Sequence, residues 1–372
     1  MTTRELSAPR VPMPPADARL PDLQRLLDPE AAAVVLRRFL RLDPDEVRVV
    51  AVRYKPRRRL VVEYELDAGE GILRAVALLD AKRADCLVQL WPSDSALPAL
   101  GLPVDELAAK LAVEPAPPFE RLGYKPFARA ALRLGPHVAK LYAAEEKWRR
   151  AAEALARMTR AGFGEATLER VVPDIRATVQ RFVDGAAPNV SEAAAPAGAL
   201  LRRLHALETT GLRRVDGADR LAESRRGARL VTAIIPALAP RVERLIATLA
   251  RRLPPDLPHV LAHGDFEPGQ LIAGDAGLTP VDVDELCAAP RADDLGRYAA
   301  HAVRGSEGDI AAVHETLAAL VEGYGMRPEG VDWYVAASIL SRAAAAFRHQ
   351  EPDWPERVAG FVNVADQFAR EP

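Results

Sequence analysis

The sequence has few cysteines, lysines and aromatic residues, and each shortage excludes a class of protein. Its two cysteines, Cys86 and Cys287, lie far apart, which excludes a disulfide scaffold and a zinc ribbon. Aromatic residues make up only 5% of the chain, so surfaces that stack nucleic-acid bases are not expected. Lysine occurs six times among 50 basic residues, so a reaction that needs lysine has few candidates.

The sequence also lacks an excess of charge and a long apolar run. Its 372 residues include 50 basic and 52 acidic side chains, and this balance argues against a nucleic-acid or membrane-surface binder. No apolar stretch approaches the ~18 residues of a membrane span, and the N-terminus lacks the apolar core of a signal peptide. We therefore expect a cytoplasmic protein with reduced thiols that binds neither nucleic acid nor membranes.

Common catalytic signatures are absent as well. The sequence contains no Gly-x4-Gly-Lys-Ser/Thr loop, no Gly-x-Ser-x-Gly elbow and no His-Glu-x2-His helix. P-loop NTPases, hydrolases with a serine elbow and zinc peptidases therefore have no support. The seven histidines are scattered along the chain, and no histidine-rich metal site is indicated.

The order of the predicted elements is that of an α+β protein. A helix at 29–41 precedes two blocks of strands, and from about 186 the chain is mostly helical. The predicted strands cover residues 48–52, 60–66, 73–79, 87–90, 130–134, 137–142, 168–172 and 175–183. The other predicted helices cover residues 103–112, 144–160, 192–208, 227–252, 293–304, 308–323, 330–348 and 355–370. Helices and strands are segregated, which favours α+β over an alternating βαβ sheet.

The N-terminal third contains a polar arm and a faint repeat. Residues 1–22 are rich in proline and polar residues, so we expect them to lie as an arm on the surface. Tyr54-Lys55-Pro56 opens the first block of strands and Tyr124-Lys125-Pro126 opens the second. The repeat is equally compatible with two unrelated hairpins and with a duplicated sheet module.

One segment has the pattern of a catalytic loop. An apolar run at 260–262 predicts a strand, and His263-Gly264-Asp265 follows it directly, so the Asp265 carboxylate can reach a substrate hydroxyl. Gln270 comes five residues later, and Asp282 follows a second short strand. Carboxylate and amide oxygens suit Mg²⁺, and phosphoryl transfer needs a carboxylate for the hydroxyl proton and a metal site for the phosphates.

A lysine in a predicted strand is the second candidate. Lys140 belongs to the predicted strand 137–142, which directly precedes the predicted helix 144–160, whereas the competing Lys82 lies in a segment typical of a strand end or turn. The His-Gly-Asp segment resembles the catalytic loop of small-molecule kinases, and this resemblance implies a strand lysine that holds the α- and β-phosphates and a glutamate of the following helix that holds the lysine. Glu145, Glu146 and Glu153 are the candidate glutamates, and we choose Glu153. The alternative is that Glu153 only pairs with arginines of its own helix.

These motifs resemble the aminoglycoside phosphotransferase/choline kinase-like family of small-molecule kinases, over about residues 116–372. The family's pattern is His-Gly-Asp, four residues, Asn, then an apolar strand and Ile-Asp, with a later Asp-Leu that Asp294-Leu295 matches. A Leu-His helix precedes the catalytic loop in the family, and Leu204-His205 matches it. The implied cofactors are Mg²⁺ and ATP (or GTP). The implied site residues are Asp265 and His263 for catalysis, Lys140, Glu153, Gln180 and Phe182 for the nucleotide, and Gln270, Asp282 and Asp284 for the metal.

The resemblance implies a bilobal protein-kinase-like fold of class α+β. Residues 116–185 would form the β-rich N-lobe, with a hinge near 180–183 whose backbone meets the adenine. Residues 186–372 would form the helical C-lobe with the catalytic loop and the acceptor site. Residues 1–115 would form an extra N-terminal α/β cap that completes the small lobe, covers the nucleotide or mediates a homodimer.

The sequence departs from the family pattern in three places. Gln270 replaces the family's Asn but offers the same amide oxygen, so we expect metal binding to survive. Glu267 stands where the family often has His, and a solvated loop residue is favoured over a contact with a cationic substrate. Residues 123–129 replace a glycine-rich loop. Lys125 and Arg129 in this segment are either phosphate contacts or ordinary surface charges.

The favoured function is transfer of the γ-phosphate of ATP or GTP to a hydroxyl of a small molecule such as an aminoglycoside, an amino sugar or a sugar. The alternative is a nucleotide-binding pseudokinase or regulatory module without phosphotransfer, which the departures at 267 and 270 favour slightly. A protein kinase is disfavoured, because the Asp-Phe-Gly and Ala-Pro-Glu motifs of protein kinases are missing.

Overall fold

The computed structural model describes residues 11–69, 71–83, 85–114, 119–275, 277–305 and 308–370. The backbone divides into two compact units. The first comprises Met1–Trp91, Ser224–Ala247 and Leu340–Asn363, and the second comprises Pro92–Glu223, Thr248–Ile339 and Val364–Pro372. The three-part division expected from the sequence stays a prediction. Among the described residues, no helix combines the length and the apolar character that crossing a membrane requires.

The first unit is built on an antiparallel sheet with strand order β1-β2-β3-β4. Its strands are β1 (Glu46–Lys55), β2 (Arg59–Asp67), β3 (Ile72–Asp80) and β4 (Leu87–Leu90). The helices α1 (Leu23–Leu27) and α2 (Pro29–Leu40) precede the sheet. Asp28 caps α2 by accepting a hydrogen bond from the Ala31 amide at 2.9 Å, and Pro29 occupies the first turn, where its missing N–H costs nothing.

The described part of the predicted N-terminal arm is mostly exposed, as expected, but two of its residues anchor it. Residues 1–10 lie outside the described residues. In the remainder, Leu20 is only 2% exposed and Asp17 is 8% exposed. The segment is packed because Leu20 has an apolar side chain to bury and because the Asp17 carboxylate accepts three hydrogen bonds from its surroundings.

The second unit begins with a five-stranded antiparallel sheet of order β5-β6-β7-β9-β8. Its strands are β5 (Glu120–Lys125), β6 (Arg129–Leu134), β7 (His137–Tyr142), β8 (Leu168–Val172) and β9 (Ala177–Arg181). The helices α3 (Val104–Leu111) and α4 (Glu145–Arg160) flank the first three of these strands in the sequence. Helix α4 has acidic residues in its first turn and arginines in its last, as the helix dipole favours.

Helices dominate the rest of the chain, which confirms the α+β class. The further helices are α5 (Ala194–Leu204), α6 (Gly217–Ile234), α7 (Ala239–Arg251), α8 (Arg291–Ala299), α9 (Ala302–Gly305), α10 (Ile310–Tyr324), α11 (Val331–Arg342), α12 (Ala345–Arg348) and α13 (Trp354–Phe368). The strands β10 (His259–Ala262) and β13 (Cys287–Pro290) pair, as do β11 (Leu271–Gly274) and β12 (Gly277–Pro280). The single helix predicted at 227–252 is wrong. It is two helices separated at Pro236, because proline has no N–H to donate.

The faint repeat corresponds to two sheet modules with the same internal contacts. In the first unit, Asp17 Oδ2 accepts hydrogen bonds from the Tyr54 hydroxyl and the Arg57 amide, both at 2.7 Å. In the second unit, Asp94 Oδ2 accepts hydrogen bonds from the Tyr124 hydroxyl and the Phe127 amide, both at 2.8 Å. We call this arrangement the aspartate clamp, and its recurrence supports a duplicated module over two unrelated hairpins.

The two modules also share their strand register. Arg59 pairs with Asp80 across β2 and β3, and Arg129 pairs with Tyr142 across β6 and β7. Leu78 lies two residues before Asp80 on β3, and Lys140 lies two residues before Tyr142 on β7. Leu78 in the first module therefore has the position that Lys140 has in the second. The first module therefore has the framework of the second without its strand lysine.

Candidate functional site

The His-Gly-Asp segment forms a loop after β10 that a buried carboxylate holds. Asp294, fully buried, accepts hydrogen bonds from the backbone amides of His263 at 2.7 Å and Gly264 at 3.0 Å. His205 donates to the same carboxylate through Nε2 at 3.2 Å. Burial alone would raise the pKa of Asp294, but the hydrogen bonds from His205 and the His263 amide outweigh it and keep the pKa below its ordinary value. The loop is thus fixed by a charged acceptor that belongs to the Asp-Leu motif, with His205 of the Leu-His motif as a further donor.

The glycine of the loop cannot carry a side chain. Gly264 has φ +80°, which lies in the left-handed region that favours glycine. A Cβ atom built at this position would lie 2.3 Å from the Glu285 carbonyl oxygen. The backbone of the loop therefore lies directly against the segment that follows Asp282.

His263 braces the loop from inside. Its side chain is fully buried, and Nε2 donates to the Val281 carbonyl oxygen at 3.0 Å. Val281 directly precedes Asp282, so this bond links the catalytic loop to the candidate metal-binding segment. The contact lets His263 brace the loop, and the catalytic role that the resemblance implies for it stays a prediction.

Asp265 presents its carboxylate to solvent and contacts a buried arginine. Its side chain is 41% exposed, and Arg297 Nη1 donates to Oδ1 at 3.3 Å. Arg297 itself is 5% exposed and is held by Glu223 at 2.7 Å. Sequence reasoning missed Arg297. The available signal was its place on α8, three residues after the Asp294 motif, in a helix that is buried from Ala292 to Ala299.

The candidate metal residues Gln270 and Asp282 flank one end of the β11–β12 hairpin in the sequence. The backbone amide of Val281 donates to the backbone carbonyl oxygen of Gln270 at 2.9 Å, so the main chain places Gln270 opposite the neighbour of Asp282. Asp282 has φ +56°, a conformation that non-glycine residues rarely adopt and that often marks functional positions. The donor set of two carboxylates and one amide oxygen suits Mg²⁺. The described residues contain no group of three or more His, Cys, Asp and Glu side chains arranged around one metal position.

Lys140 reaches both carboxylates from the middle of β7. Its side chain is 10% exposed, and Nζ lies 2.8 Å from Asp282 Oδ1 and 3.0 Å from Asp284 Oδ1. Tyr142, two residues along the strand, donates to Asp284 Oδ2 at 3.0 Å. Burial alone would lower the pKa of Lys140, but the two carboxylates outweigh it and hold that pKa above its ordinary value. The structure thus brings together three of the predicted residues.

Arg129 completes this cluster. Its guanidinium donates to both oxygens of Asp282, at 2.8 and 2.6 Å, and to Asp284 Oδ2 at 2.7 Å. Burial raises the pKa of Asp282, but Lys140 and Arg129 outweigh this effect and hold it well below its usual range. The sequence left open whether Arg129 is an ordinary surface charge, and these three bonds exclude that alternative.

The predicted partnership of Lys140 with Glu153 is not found. Glu153 is exposed on the outer face of α4, where it lines a cleft of about 440 Å³ together with Arg157 and Arg160. The alternative pairing within the helix is not found either, because Arg149 and Arg150 pair with Glu145 and Glu146. The reason is the phase of the helix, which turns Glu153 away from β7. The Lys140 ammonium instead donates hydrogen bonds to the carboxylates of Asp282 and Asp284.

The predicted hinge follows the end of β9. Gln180 is 5% exposed and pairs with Val138 of β7. The Phe182 amide donates to the Pro136 carbonyl oxygen at 2.8 Å, and Arg133 stacks on the Phe182 ring at 3.8 Å from its centroid. Both residues therefore have structural contacts in this sheet, and their role toward a nucleotide stays a prediction.

Glu267 is not the solvated loop residue that the sequence favoured. Its side chain is 19% exposed, and its carboxylate lies 2.7 Å from His301 Nε2. This contact joins the His-Gly-Asp loop to the segment between α8 and α9. A side chain with this partner is part of the site's framework, so the acidic substitution has a local structural reason.

The chain matches a known family and several solved structures at low identity. The match to the phosphotransferase enzyme family spans residues 116–334, more than half of the chain. No curated protein matches the chain.

Three solved structures illustrate the similarity. A choline/ethanolamine kinase family protein from Mesorhizobium loti is 19% identical with a TM-score of 0.49, covering 72% of this chain and 95% of that chain. The aminoglycoside phosphotransferase APH(3'')-Id from Streptomyces rimosus is 17% identical with a TM-score of 0.44, covering 60% of this chain and 92% of that chain. A glucosamine kinase is 19% identical with a TM-score of 0.47, covering 87% of this chain and 93% of that chain.

The family match encloses every residue of the site described above. It includes the strand of Lys140, the loop of Asp265 and the carboxylates of Asp282 and Asp284. The fold is accordingly the protein-kinase-like α+β fold that the sequence predicted. The chain belongs to the phosphotransferase enzyme family and is an ATP-dependent kinase of small molecules.

Proposed function

We propose that this kinase transfers the γ-phosphoryl group of ATP to a hydroxyl group of an aminoglycoside, an amino sugar or a sugar, with Asp265 as the catalytic base. The single observation that carries the proposal is the state of Asp265. Its carboxylate is 41% exposed, while the loop that bears it is anchored by buried hydrogen bonds. An accessible base on a fixed backbone is what positioning a hydroxyl requires.

In the proposed step, the acceptor's hydroxyl oxygen attacks the γ-phosphorus. The bond between that phosphorus and the oxygen bridging it to the β-phosphate breaks, and ADP leaves. Asp265 takes the hydroxyl proton, so charge and atoms balance. Arg297 Nη1 donates to Asp265 Oδ1 at 3.3 Å and so helps to fix the carboxylate that would take the proton.

Three oxygen donors would hold Mg²⁺ in this mechanism, namely the amide of Gln270 and the carboxylates of Asp282 and Asp284. When bound, the metal neutralises phosphate charge. Lys140 supplies a fixed positive charge for the phosphates, because its ammonium is 10% exposed and is held by hydrogen bonds to both carboxylates.

The test is ADP release from Mg·ATP over a panel of aminoglycosides, amino sugars, neutral sugars and amino alcohols. We expect one class to stimulate release, and Asp265→Asn to reduce the stimulated rate by about 10²–10⁴-fold, the range for a general base. The matched control is Asp256→Asn, which makes the same change at an exposed carboxylate paired with Arg214. Equal loss in both variants, or full activity of Asp265→Asn, would contradict the assignment. Repeating the assay with GTP in place of ATP measures which nucleobase the enzyme prefers in the phosphate donor.

A second candidate is a nucleotide-binding module without phosphotransfer. The observation that favours it is the saturation of Asp282 and Asp284, whose four carboxylate oxygens all accept hydrogen bonds from protein groups. Tight binding of Mg·ATP with no stimulated release on any acceptor would support this candidate over the first.

A further inference from the structure

Arg129 binds the same two carboxylates that would hold the metal of a bound nucleotide. Its guanidinium makes two bonds to Asp282 and one to Asp284, all between 2.6 and 2.8 Å. Together with Lys140 and Tyr142, it provides at least one donor for each of the four carboxylate oxygens. Two cations face two anions, so the cluster is electrically balanced without a metal ion.

The two cations of the cluster differ in how firmly they are held. Lys140 lies in the interior of β7, which has a paired strand on each side, and its side chain is 10% exposed. Arg129 is the first residue of β6, directly after the turn at 126–128, and its side chain is 37% exposed. Of the two, Arg129 has the freedom to leave the carboxylates.

The segment that bears Arg129 also lies where the sequence lacks a glycine-rich phosphate loop. A guanidinium presents a planar fork of N–H groups that matches carboxylates and phosphates equally well, each in a bidentate pair. Arg129 can therefore exchange one anion for the other without losing its hydrogen-bonding capacity.

We propose that Arg129 is an exchangeable counter-ion of the nucleotide site. It neutralises Asp282 and Asp284 when the site holds no nucleotide, and it pairs with the phosphates when a metal-bound nucleotide enters. The inference rests on the proposed function and adds a nucleotide-binding residue to it. It implies that a divalent cation alone binds weakly, because the cation must displace Arg129 while no phosphate is present to receive the guanidinium.

The chain contains its own control for this proposal. Arg59 has the same register position in the first module as Arg129 has in the second. The first module has Leu78 where the second has Lys140, so Arg59 belongs to a copy of the framework without the lysine. Arg59→Gln makes the same chemical change at the matched position.

The experiment compares wild type, Arg129→Gln, Arg129→Lys and Arg59→Gln in two binding assays on the full chain. The first measures Mn²⁺ alone, from the paramagnetic resonance signal of the free ion. The second measures a non-hydrolysable ATP analogue with Mg²⁺ by calorimetry. We expect Arg129→Gln to bind Mn²⁺ at least about tenfold tighter than wild type and the analogue at least about tenfold weaker. Arg129→Lys should lie between the two, and Arg59→Gln should match wild type.

The opposite signs distinguish this proposal from a structural role. If Arg129→Gln only damaged the fold, it would bind both Mn²⁺ and the ATP analogue more weakly than wild type. The same double loss in Arg129→Lys would overturn the proposal. Unchanged Mn²⁺ affinity, or an unchanged analogue affinity, would overturn it as well. If wild type binds no nucleotide, both this inference and the proposed function fail. Opposite shifts combined with no turnover on any acceptor would support the inference and refute only the proposed phosphotransfer.

Discussion

The aspartate clamp predicts how much one carboxylate stabilises a sheet module, and the prediction can be tested twice because both modules contain a clamp. Asp17 Oδ1 accepts a hydrogen bond from the Arg19 amide at 2.9 Å, in addition to the two bonds that Oδ2 accepts from Tyr54 and Arg57. Arg57 has φ +60°, so the clamp also holds a turn residue in the left-handed region. We expect Asp17→Ala to loosen β1–β3.

The size of the effect follows from these contacts. A hydrogen bond to a charged group contributes about 1.5–3 kcal/mol, and contributions within one cluster are not additive. In Asp17→Ala the hydroxyl of Tyr54, which is 7% exposed, loses a partner that water replaces poorly. The amide of the exposed Arg57 can form a hydrogen bond with water instead. We therefore expect Asp17→Ala to lower the free energy of unfolding of its module by about 2–4 kcal/mol.

Hydrogen exchange measures this change where it occurs. In Asp17→Ala, amides of β1–β3 should exchange about 30–700 times faster, the factor that corresponds to about 2–4 kcal/mol. Asp94→Ala should do the same to β5–β7, because its clamp has the same bonds. A change below about 0.5 kcal/mol, or faster exchange concentrated in the wrong module, would refute the reasoning.

The same variant predicts a pH dependence. Burial raises the pKa of Asp17, but hydrogen bonds from Tyr54, Arg19 and Arg57 outweigh it and hold that pKa below its usual 3.8. The stabilisation is therefore complete above the usual pKa and is lost as the pH falls through the lower value of the folded state. The difference in stability between wild type and Asp17→Ala should be constant between pH 7 and about 5 and should shrink below about 4.

Three further predictions concern the site and the thiols. Arg297→Lys should lower kcat by about 10–100-fold and leave KM for ATP within about twofold, because a single ammonium cannot replace the two guanidinium nitrogens that contact Asp265, the proposed base, and Glu223; a parallel change in both constants would contradict this. In urea titrations, Gly264→Ala should lower the free energy of unfolding by more than about 4 kcal/mol, because its Cβ would lie 2.3 Å from a carbonyl oxygen. The control Gly162→Ala, at φ +60° with no atom near the added Cβ, should lower it by about 1–2 kcal/mol. Burial raises the pKa of Cys86 to about 11 and of Cys287 to about 12, so at pH 8 iodoacetamide should modify both at least about 100-fold more slowly in the folded than in the urea-unfolded chain, as followed by mass spectrometry.

Local sequence patterns predicted the elements and the loop that carry the chemistry. The apolar run before His263 and the alternation around Lys140 are short-range signals, and both became strands. The Asp294 motif also proved informative, because a carboxylate that must be buried has to find donors, and the nearest backbone amides are those of the catalytic loop. The repeated Tyr-Lys-Pro was a true signal of a shared framework. A second repeat, Asp-x-x-Leu-Pro-x-Leu at 17–23 and 94–100, was available and would have identified the clamps.

Long-range partners could not be predicted in the same way. Lys140 and Asp282 are 142 positions apart in the sequence, and nothing local records that they meet at 2.8 Å. Glu153 lies two turns into the helix that follows Lys140 in the sequence, yet it is exposed on that helix. A buried lysine guarantees a partner of opposite charge, since an unpaired ammonium in a core is too costly. Sequence can therefore predict that such a residue is paired, while the fold determines with which carboxylate.

The pairing found here also shows how the fold can stabilise the proposed metal site without its metal. Two adjacent carboxylates at 11% and 17% exposure would repel each other if nothing opposed their charge. Lys140 opposes half of that charge, and Arg129 opposes the rest through bonds that, in our proposal, a phosphate replaces. A second fixed lysine would stabilise the empty site equally well but would leave no room for a divalent cation. An arginine on the first residue of a strand meets both requirements, and for this reason the position of Arg129 in the fold matters as much as its charge.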